Sequence, residues 1–461
     1  MMSIEQLLHI SEATLKSALK EKIDQAQTSA FLFDSARTRF ANSQIHQNVA
    51  SKKGGVTVKV AIGKRIGYIQ AAVLESKQIE RVVKQAVKIA RVSPENKDFK
   101  SFPQPKQWQP LDDAFDAATA TCSPDYRSER AKEAIDVAHS ASPVVKAVAG
   151  SILSAAYSFA VTNSWGVSAQ ARMTLASMNI TVISEKSGSE GFGHAVQSSR
   201  HITDINPVEL GTMASEKSVN STTPIKLTPK EYEVVLAPLA VSTLFDYLSY
   251  IGFSALPYQQ GVSFVKYHLN EQVFDEKLSA KDDVEDPRTV FKLAVDGDGV
   301  PKKRLPLINE GSVSEASIFH NTLTASRENR ESTGHALPPG LFRMTRPIPY
   351  PLNVLISPGT ASIEEMIEET QNGIFVTRFH YTNPVEPTKA VLTGLTRDGT
   401  FKIANGEIAE PVKNLRYTDS MLSALKSIPL IGKELKAEQL GTVTVPAMKL
   451  EKLRFTGTTE Y

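Results

Sequence analysis

Apolar residues recur along the first part of the chain in two rhythms, one near the helical period and one at every second position. Leu7, Leu8, Leu15, Leu19 and Ile23 keep the helical spacing, which predicts a surface helix over residues 3 to 26 with one buried face. Strand patterns follow in SAFLFDS, RFANSQIHQNVAS, GVTVKVAIG and RIGYIQAAVL. The short breaks between them, Gly54-Gly55 and Gly63-Lys64, suit an antiparallel meander. The helical spacing returns in SKQIERVVKQAVKIARV, where Ile79, Val82, Val83, Ala86, Val87 and Ala90 share a face.

Between residues 94 and 110 stand Pro94, Pro103, Pro105 and Pro110 among polar residues, a density that neither a helix nor a ladder tolerates, so a linker is predicted there. Beyond it the pattern predicts a helix over about 125 to 141, long strands in VVKAVAGSILSAAYSFAVTNS, VSAQARMTLASMNITVIS and GHAVQSSRHI, and a helix in NPVELGTMASEKSVNS. A third unit opens with the strand YEVVLAP and the apolar stretch FDYLSYIGFSALPYQQGVSF, residues 245 to 264, which reads as one helix ending in a polar turn. Short strands and turn signals dominate thereafter, in DGDGVPKKRLPLINEGSV, LPPGLFRMTRPIPYP and TRDGTFKIANGEI. Asp398-Gly399 and Asn405-Gly406 predict two tight hairpins. The expected fold is α+β, with an N-terminal α/β domain over 1–105, a middle α/β domain over 110–224 and a C-terminal domain over 228–461 dominated by antiparallel β-sheet.

Length supports this division, since 461 residues exceed what one core accommodates, about 250–300. Lys+Arg 52 against Asp+Glu 50 leaves a net charge of +2, spread along the chain, which argues against a nucleic-acid partner. The one dense basic cluster, Lys302-Lys303-Arg304, has no interleaved aromatic residues and is expected to be a solvated loop. The single cysteine, Cys122, excludes an internal disulfide and points to a reducing compartment. The start lacks an apolar signal-peptide core, and the longest apolar runs fall short of the roughly 18 residues of a membrane span, so a cytoplasmic, membrane-free protein is expected.

Five segments then stand in a telling order over nearly the whole chain: RFANSQIHQNVASKKGGVTVKVAIGKRIGYIQ, HNTLTASRENRESTGHALP, NGIFVTRFHYTN, LTGLTRDGTFKIANGEIAEPVKNLRYTDSMLSALKSI and TVTVPAMKLEKLRFTG. Together they resemble the TldD/PmbA (TldE) family, whose members look like paired subunits of a cytosolic protease acting on small or unfolded polypeptides. The resemblance implies two kinds of subunit. The TldD kind carries a zinc helix patterned H-E-x-x-x-H, an acidic stretch, R-G-T-S-x-F and a late cysteine ligand, and the TldE or PmbA kind lacks this metal site. Zinc hydrolysis needs neutral imidazoles and a thiolate on the metal and a carboxylate to take a proton from water. Histidines five residues apart lie about 140° apart on a regular helix, so the motif also implies a locally widened turn.

Aligning QGVSF at 260–264 with R-G-T-S-x-F puts Asp246 and Ile251 at the histidine positions and Tyr247 at the glutamate position. No histidine occurs between His201 and His268, and no cysteine follows Cys122. The helix is expected to pack, not to catalyse, and the resemblance places the chain with TldE. It implies no cofactor in this chain, zinc in a TldD-like partner joined as a heterodimer (or else a homodimer), and an unfolded peptide as substrate. A non-catalytic homodimeric scaffold or regulatory interaction protein is the alternative, in keeping with the family's older description as a modulator of DNA gyrase. An autonomous hydrolase with a divergent site is a third.

Other chemistry is thinly supported by spacing. His268, His320, His335 and His380 share the C-terminal unit with Asp275, Glu310, Glu328, Asp398 and Asp419, but none shows metal-ligand spacing. Ser254 in GFSAL lacks the second glycine of a nucleophile elbow. GSEGFGHAV, at 188–196, has no lysine-threonine ending and reads as a hairpin turn, not a phosphate loop. Arg378, His380, Arg397 and Asp398 fall on or beside late hairpins. Arg397 and Asp398 are expected to pair at a turn, which in water is worth little. The functional reading makes these four substrate-binding residues of a groove that pairs with an extended peptide, Arg378 and His380 being its polar contacts.

Overall fold

The computed structural model describes residues 2–342 and 348–459. Part of the turn-rich run at 337–351 therefore lies outside the described residues. The first helix, α1 (Ile4–Ala18), begins at a capping box in which Ser3 and Gln6 bond each other's backbone. It stops short of the predicted residue 26. The N–H groups of Lys20 and Glu21 close back on the carbonyls of Ser17 and Ala18, and the chain turns away to enter the sheet at Gln25.

Strands β1 (Gln25–Ala41) and β2 (Gln44–Ile62) form a long hairpin that turns on Asn42 and Ser43, both with positive φ, the two-residue turn that matches strand twist. The predicted break at Gly54-Gly55 is absent, because both residues lie inside β2. A Cβ on Gly55 would stand 2.3 Å from the carbonyl oxygen of Ala71, so glycine serves close approach there and not a turn. The chain does turn at Gly63, with φ of 57°, into β3 (Arg65–Ala71). Helix α2 (Ser76–Val92) then lays its predicted apolar face on Val56, Val58 and Val60.

After the 94–110 segment come the helix Pro124–Ala141, strands β4 (Val145–Asn163), β5 (Ser168–Lys186) and β6 (Ser189–Ser199), and the helix Pro207–Asn220. The hairpin expected at 188–196 turns on Ser187 and Gly188 alone, and the rest of that segment is strand β6. β1 pairs with β4, so both sides of the 94–110 segment build one six-stranded antiparallel sheet, in order β3-β2-β1-β4-β5-β6. Helices cover one face. On the other, Leu153, Tyr157, Phe159, Met173 and Leu175 meet Phe291, Leu293, Val295, Leu337 and Leu352 of the C-terminal half.

In that half, β7 (Glu231–Leu236) lies between Asn372–Val376, parallel, and Met448–Thr458, antiparallel. Asn372–Val376 and Phe379–Glu386 act as one bent strand against Thr400–Ala404 and Val391–Thr396, with Val376 opposite Thr400 and Phe379 opposite Thr396. Arg397, Asp398 and Gly399 are thus the bulge of a continuous ladder, not the predicted hairpin, and Asp398 and Gly399 take φ of 56° and 121° there. Asn405-Gly406 is a tight hairpin, joining Thr400–Ala404 to Glu407–Pro411.

The expected single helix at 245–264 is three pieces. An α-helix, Pro238–Leu248, runs into a π-helical turn, Ser249–Phe253; Ser254 is extended, and a second helix, Ala255–Gln260, ends at left-handed Gly261. A Cβ on Gly252 would sit 2.2 Å from the Phe264 ring, so the widened turn lets Phe264 fold back against the backbone. No helix among the described residues is long and apolar enough to cross a membrane.

Candidate functional site

A cavity of about 410 Å³ opens between the sheet and the C-terminal half. One wall is made by β5 and β6 through Ser177, Asn179, His194 and Val196, pairs two residues apart that strand alternation places on the same face. The opposite wall is Leu239, Thr243, Asp246 and Tyr247 of the helix Pro238–Leu248 together with Arg378, His380 and Tyr381. The four predicted site residues are neighbours here. Arg378 ion-pairs with Asp398, whose other oxygen lies 3.6 Å from Arg397 Nε, and Arg397 Nη1 lies 3.5 Å from His380 Nδ1. Arg378 and His380 line the cavity, and Asp398 stands behind them, 4 % exposed. The Arg397–Asp398 contact expected at a turn thus adjoins a buried ion pair, Arg378–Asp398, but with the Arg397 side chain 45 % exposed it keeps the small weight of a surface contact.

Thr377 Oγ1 holds this bulge by donating to the carbonyls of Arg397 and Asp398. The positive charge beside it acts on its neighbours. Burial first, then Arg378, lowers the pKa of His380, and burial with Arg378, Lys217 and His380 pushes His194 well below the ordinary imidazole value. Both imidazoles are neutral at pH 7 and free to accept or donate one hydrogen bond; the Nδ1 of His194 stands 2.9 Å from Thr181 Oγ1.

The aligned zinc positions give the donor set. Asp246 accepts from the Tyr350 hydroxyl at 3.3 Å, and burial raises its pKa. Burial and the charge of Asp246 raise the phenol pKa values of Tyr247 and Tyr350, which keeps both protonated. Ile251 is 3 % exposed in the hydrophobic core. One half-buried carboxylate, neutral phenols and a hydrocarbon do not fit zinc, which takes imidazole, thiolate and carboxylate donors. No three His, Cys, Asp or Glu side chains converge as a ligand group among the described residues.

The remaining sequence candidates are structural. Ser254 is buried and donates to the carbonyl of Pro349 at 3.2 Å. His268 bonds Glu271 at 2.8 Å near the surface. His335 is enclosed against Asp282 at 3.3 Å, and the buried ring of His320 lies 3.9 Å from Glu328. The basic run is not the solvated loop expected. The side chain of Lys302 is 3 % exposed and ion-paired with the enclosed Asp282, while Lys303 reaches Glu331 and Arg304 reaches Asp283.

Residues not singled out in the sequence extend the site. A second chamber, of about 340 Å³, shares His194, Val196 and Leu239 with the first and adds Lys217 and Glu438. Strand alternation in GHAVQSS could have pointed to His194 and Val196 as a pair. Nothing local marks Lys217, on the helix Pro207–Asn220, or Glu438, on the strand Lys436–Glu438.

Comparison with known proteins is consistent along the chain. Models of the PmbA/TldA metallopeptidase match at residues 34–90 (domain 1), 120–222 (central domain) and 229–457 (C-terminal domain). A metalloprotease of Methanocaldococcus jannaschii is 22% identical over 385 residues, 82% of this chain and 83% of that protein. A metalloprotease TldD homolog of Buchnera aphidicola is 25% identical over 212 residues, 43% of each chain. The crystal structure of TldE from Thermococcus kodakarensis superposes with a TM-score of 0.89 at 18% identity, over 97% of this chain and 100% of that one.

Proposed function

Because the chain belongs to the PmbA/TldD metallopeptidase family, we propose that it is the zinc-free, TldE-like subunit of a two-subunit metalloprotease. It assembles with a zinc-bearing TldD-like partner in the cytoplasm, encloses the reaction space and holds an unfolded peptide in the cleft lined by Arg378, His380 and His194. The observation that carries this reading is the helix Pro238–Leu248 with its widened turn, which has the shape the zinc motif calls for but presents Asp246, Tyr247 and Ile251 in place of its donors. The peptide role is supported by the cleft itself: a largely polar sheet face with Ser177 and Asn179, two neutral imidazoles and one guanidinium suit a chain with many backbone groups and varied side chains.

The experiment is a reconstitution. The lone chain, a co-expressed TldD-like partner and their mixture are compared for bound zinc by mass spectrometry, for peptidase activity on an unfolded polypeptide and for co-elution. The expected outcome is zinc and activity only where the partner is present, with the mixture eluting as one complex. Stoichiometric zinc and peptidase activity in the lone chain would overturn the assignment. A self-associating lone chain that ignores the partner would favour the homodimeric scaffold.

A further inference from the structure

The second chamber differs in chemistry from the first. Its walls are apolar, with Leu210 and Met213 on one side and Leu239 and Phe375 on the other. Its charges are Glu209, Glu364, Glu434 and Glu438 against Lys217 and Lys436. Both lysines are engaged: Lys436 Nζ lies 3.3 Å from Glu209, and Lys217 Nζ donates to the carbonyl of His194 at 3.0 Å. What remains is an excess of carboxylates around a hydrocarbon wall.

Glu438 is the unusual member. It is 6 % exposed, its Oε2 has no hydrogen-bond partner, and no cation lies within ion-pairing distance of it among the described residues. A buried carboxyl group left without a donor is costly, and natural proteins seldom retain one without a use. A long basic side chain meets both needs of this chamber, its methylene stem lying on the apolar wall and its charged head reaching the carboxylate. The volume, about 340 Å³, is within the range of pockets that take small ligands or side chains.

We propose that this chamber is a subsite for a lysine or arginine side chain of the polypeptide lying in the cleft, with Glu438 as the residue that selects the charge. The inference rests on the peptide-groove reading, since the chamber adjoins the cleft, the two sharing His194, Val196 and Leu239 in their walls. Burial pushes the carboxyl of Glu438 up to about 8, with Lys217 and Lys436 pulling the other way. A bound cation favours the ionised form, so occupation releases a proton and binding strengthens as pH rises through that value. Glu209, Glu364, Glu434 and His194 also line the chamber and complete the set of titrating groups around it.

The test uses two labelled short alanine-serine-glycine peptides that differ only in a central arginine or its neutral isostere citrulline, titrated against the full-length chain by fluorescence anisotropy. At about pH 8 the arginine peptide is expected to bind about tenfold more tightly. The preference narrows in more acidic buffer, and Glu438→Gln removes it. Equal affinity of the unmutated chain for the two peptides overturns the subsite and leaves the groove standing. Binding of neither peptide overturns the groove reading and the subsite with it. An arginine preference that survives Glu438→Gln and disappears in Glu434→Gln assigns recognition to the rim and overturns the role of Glu438.

Discussion

Asp398→Asn isolates the charge on which the cleft's cationic wall depends. Asp398 is 4 % exposed at the bulge between Val391–Thr396 and Thr400–Ala404, paired with Arg378 and 3.6 Å from Arg397. Asparagine keeps the size of the side chain and tolerates the positive φ of 56°, so the backbone need not move. What is lost is the counter-charge of Arg378, whose side chain is 19 % exposed. Removing one partner of a fully buried pair costs about 3–5 kcal/mol. Arg378 can draw some water from the cavity, and the Arg397 contact, with that side chain 45 % exposed, contributes at the level of a surface pair, about 0–1 kcal/mol. The expected destabilisation is therefore about 2–3 kcal/mol. Urea unfolding followed by circular dichroism measures it, in a cycle with Arg378→Met and the double variant. A buried pair requires the double variant to lose less than the sum of the single ones, by about 1–3 kcal/mol. Additive losses, or single variants within about 0.5 kcal/mol of the parent, would refute the account of this bulge as a buried ion pair.

Lys302→Met should destabilise by about 2–4 kcal/mol near neutral pH, because it leaves the enclosed Asp282 with His335 and two backbone donors, Leu352 and Asn353. Burial and then Lys302 depress the pKa of His335, so its neutral form contributes stability that is complete above the unfolded value, about 6.5, and is lost as pH falls toward the folded one. Without Lys302, His335 can take a proton beside Asp282, and the deficit should shrink in acid; urea midpoints at two pH values that show a constant deficit would sink this coupling. Gly193→Ala should lower stability by more than about 3 kcal/mol, as its Cβ would stand 1.9 Å from the Ala214 carbonyl and force the helix Pro207–Asn220 off the sheet. Gly188→Ala, with open space but φ of 76°, should cost only about 1 kcal/mol, and equal thermal shifts for the two would contradict the close-approach argument.

The N-terminal half was legible wherever one physical signal acted alone. The spacing in α2 and the caps Ser123 and Asn206 mark helices whose burial follows the sequence. Gly54-Gly55 misled because glycine answers two needs, positive φ and close approach, and a sequence does not say which. Asp398-Gly399 misled differently: its positive φ is real, but it serves a bulge between two bent strands and not a hairpin turn. Lys302 looked solvated because its partner, Asp282, comes from a distant strand. The site divides along the same line. Arg378 and His380 are recognisable as polar residues two positions apart at the bend between Asn372–Val376 and Phe379–Glu386, whereas His194 joins the cleft, and Lys217 and Glu438 the second chamber, only because the sheet packs against the C-terminal half.

That packing also explains how a widened helical turn persists without the imidazoles of the zinc motif. A π-turn gives up regular helical bonding and survives only if its surroundings hold it. Here the surroundings are apolar: Phe253 and Phe264 meet edge to face, Phe264 in turn meets Phe274, and the Ser263 hydroxyl donates to the carbonyl of Gly252. Phe264 occupies the space that a side chain on residue 252 would need. The turn is therefore an element of the C-terminal core before it is anything else, with Ile251 itself buried in that core.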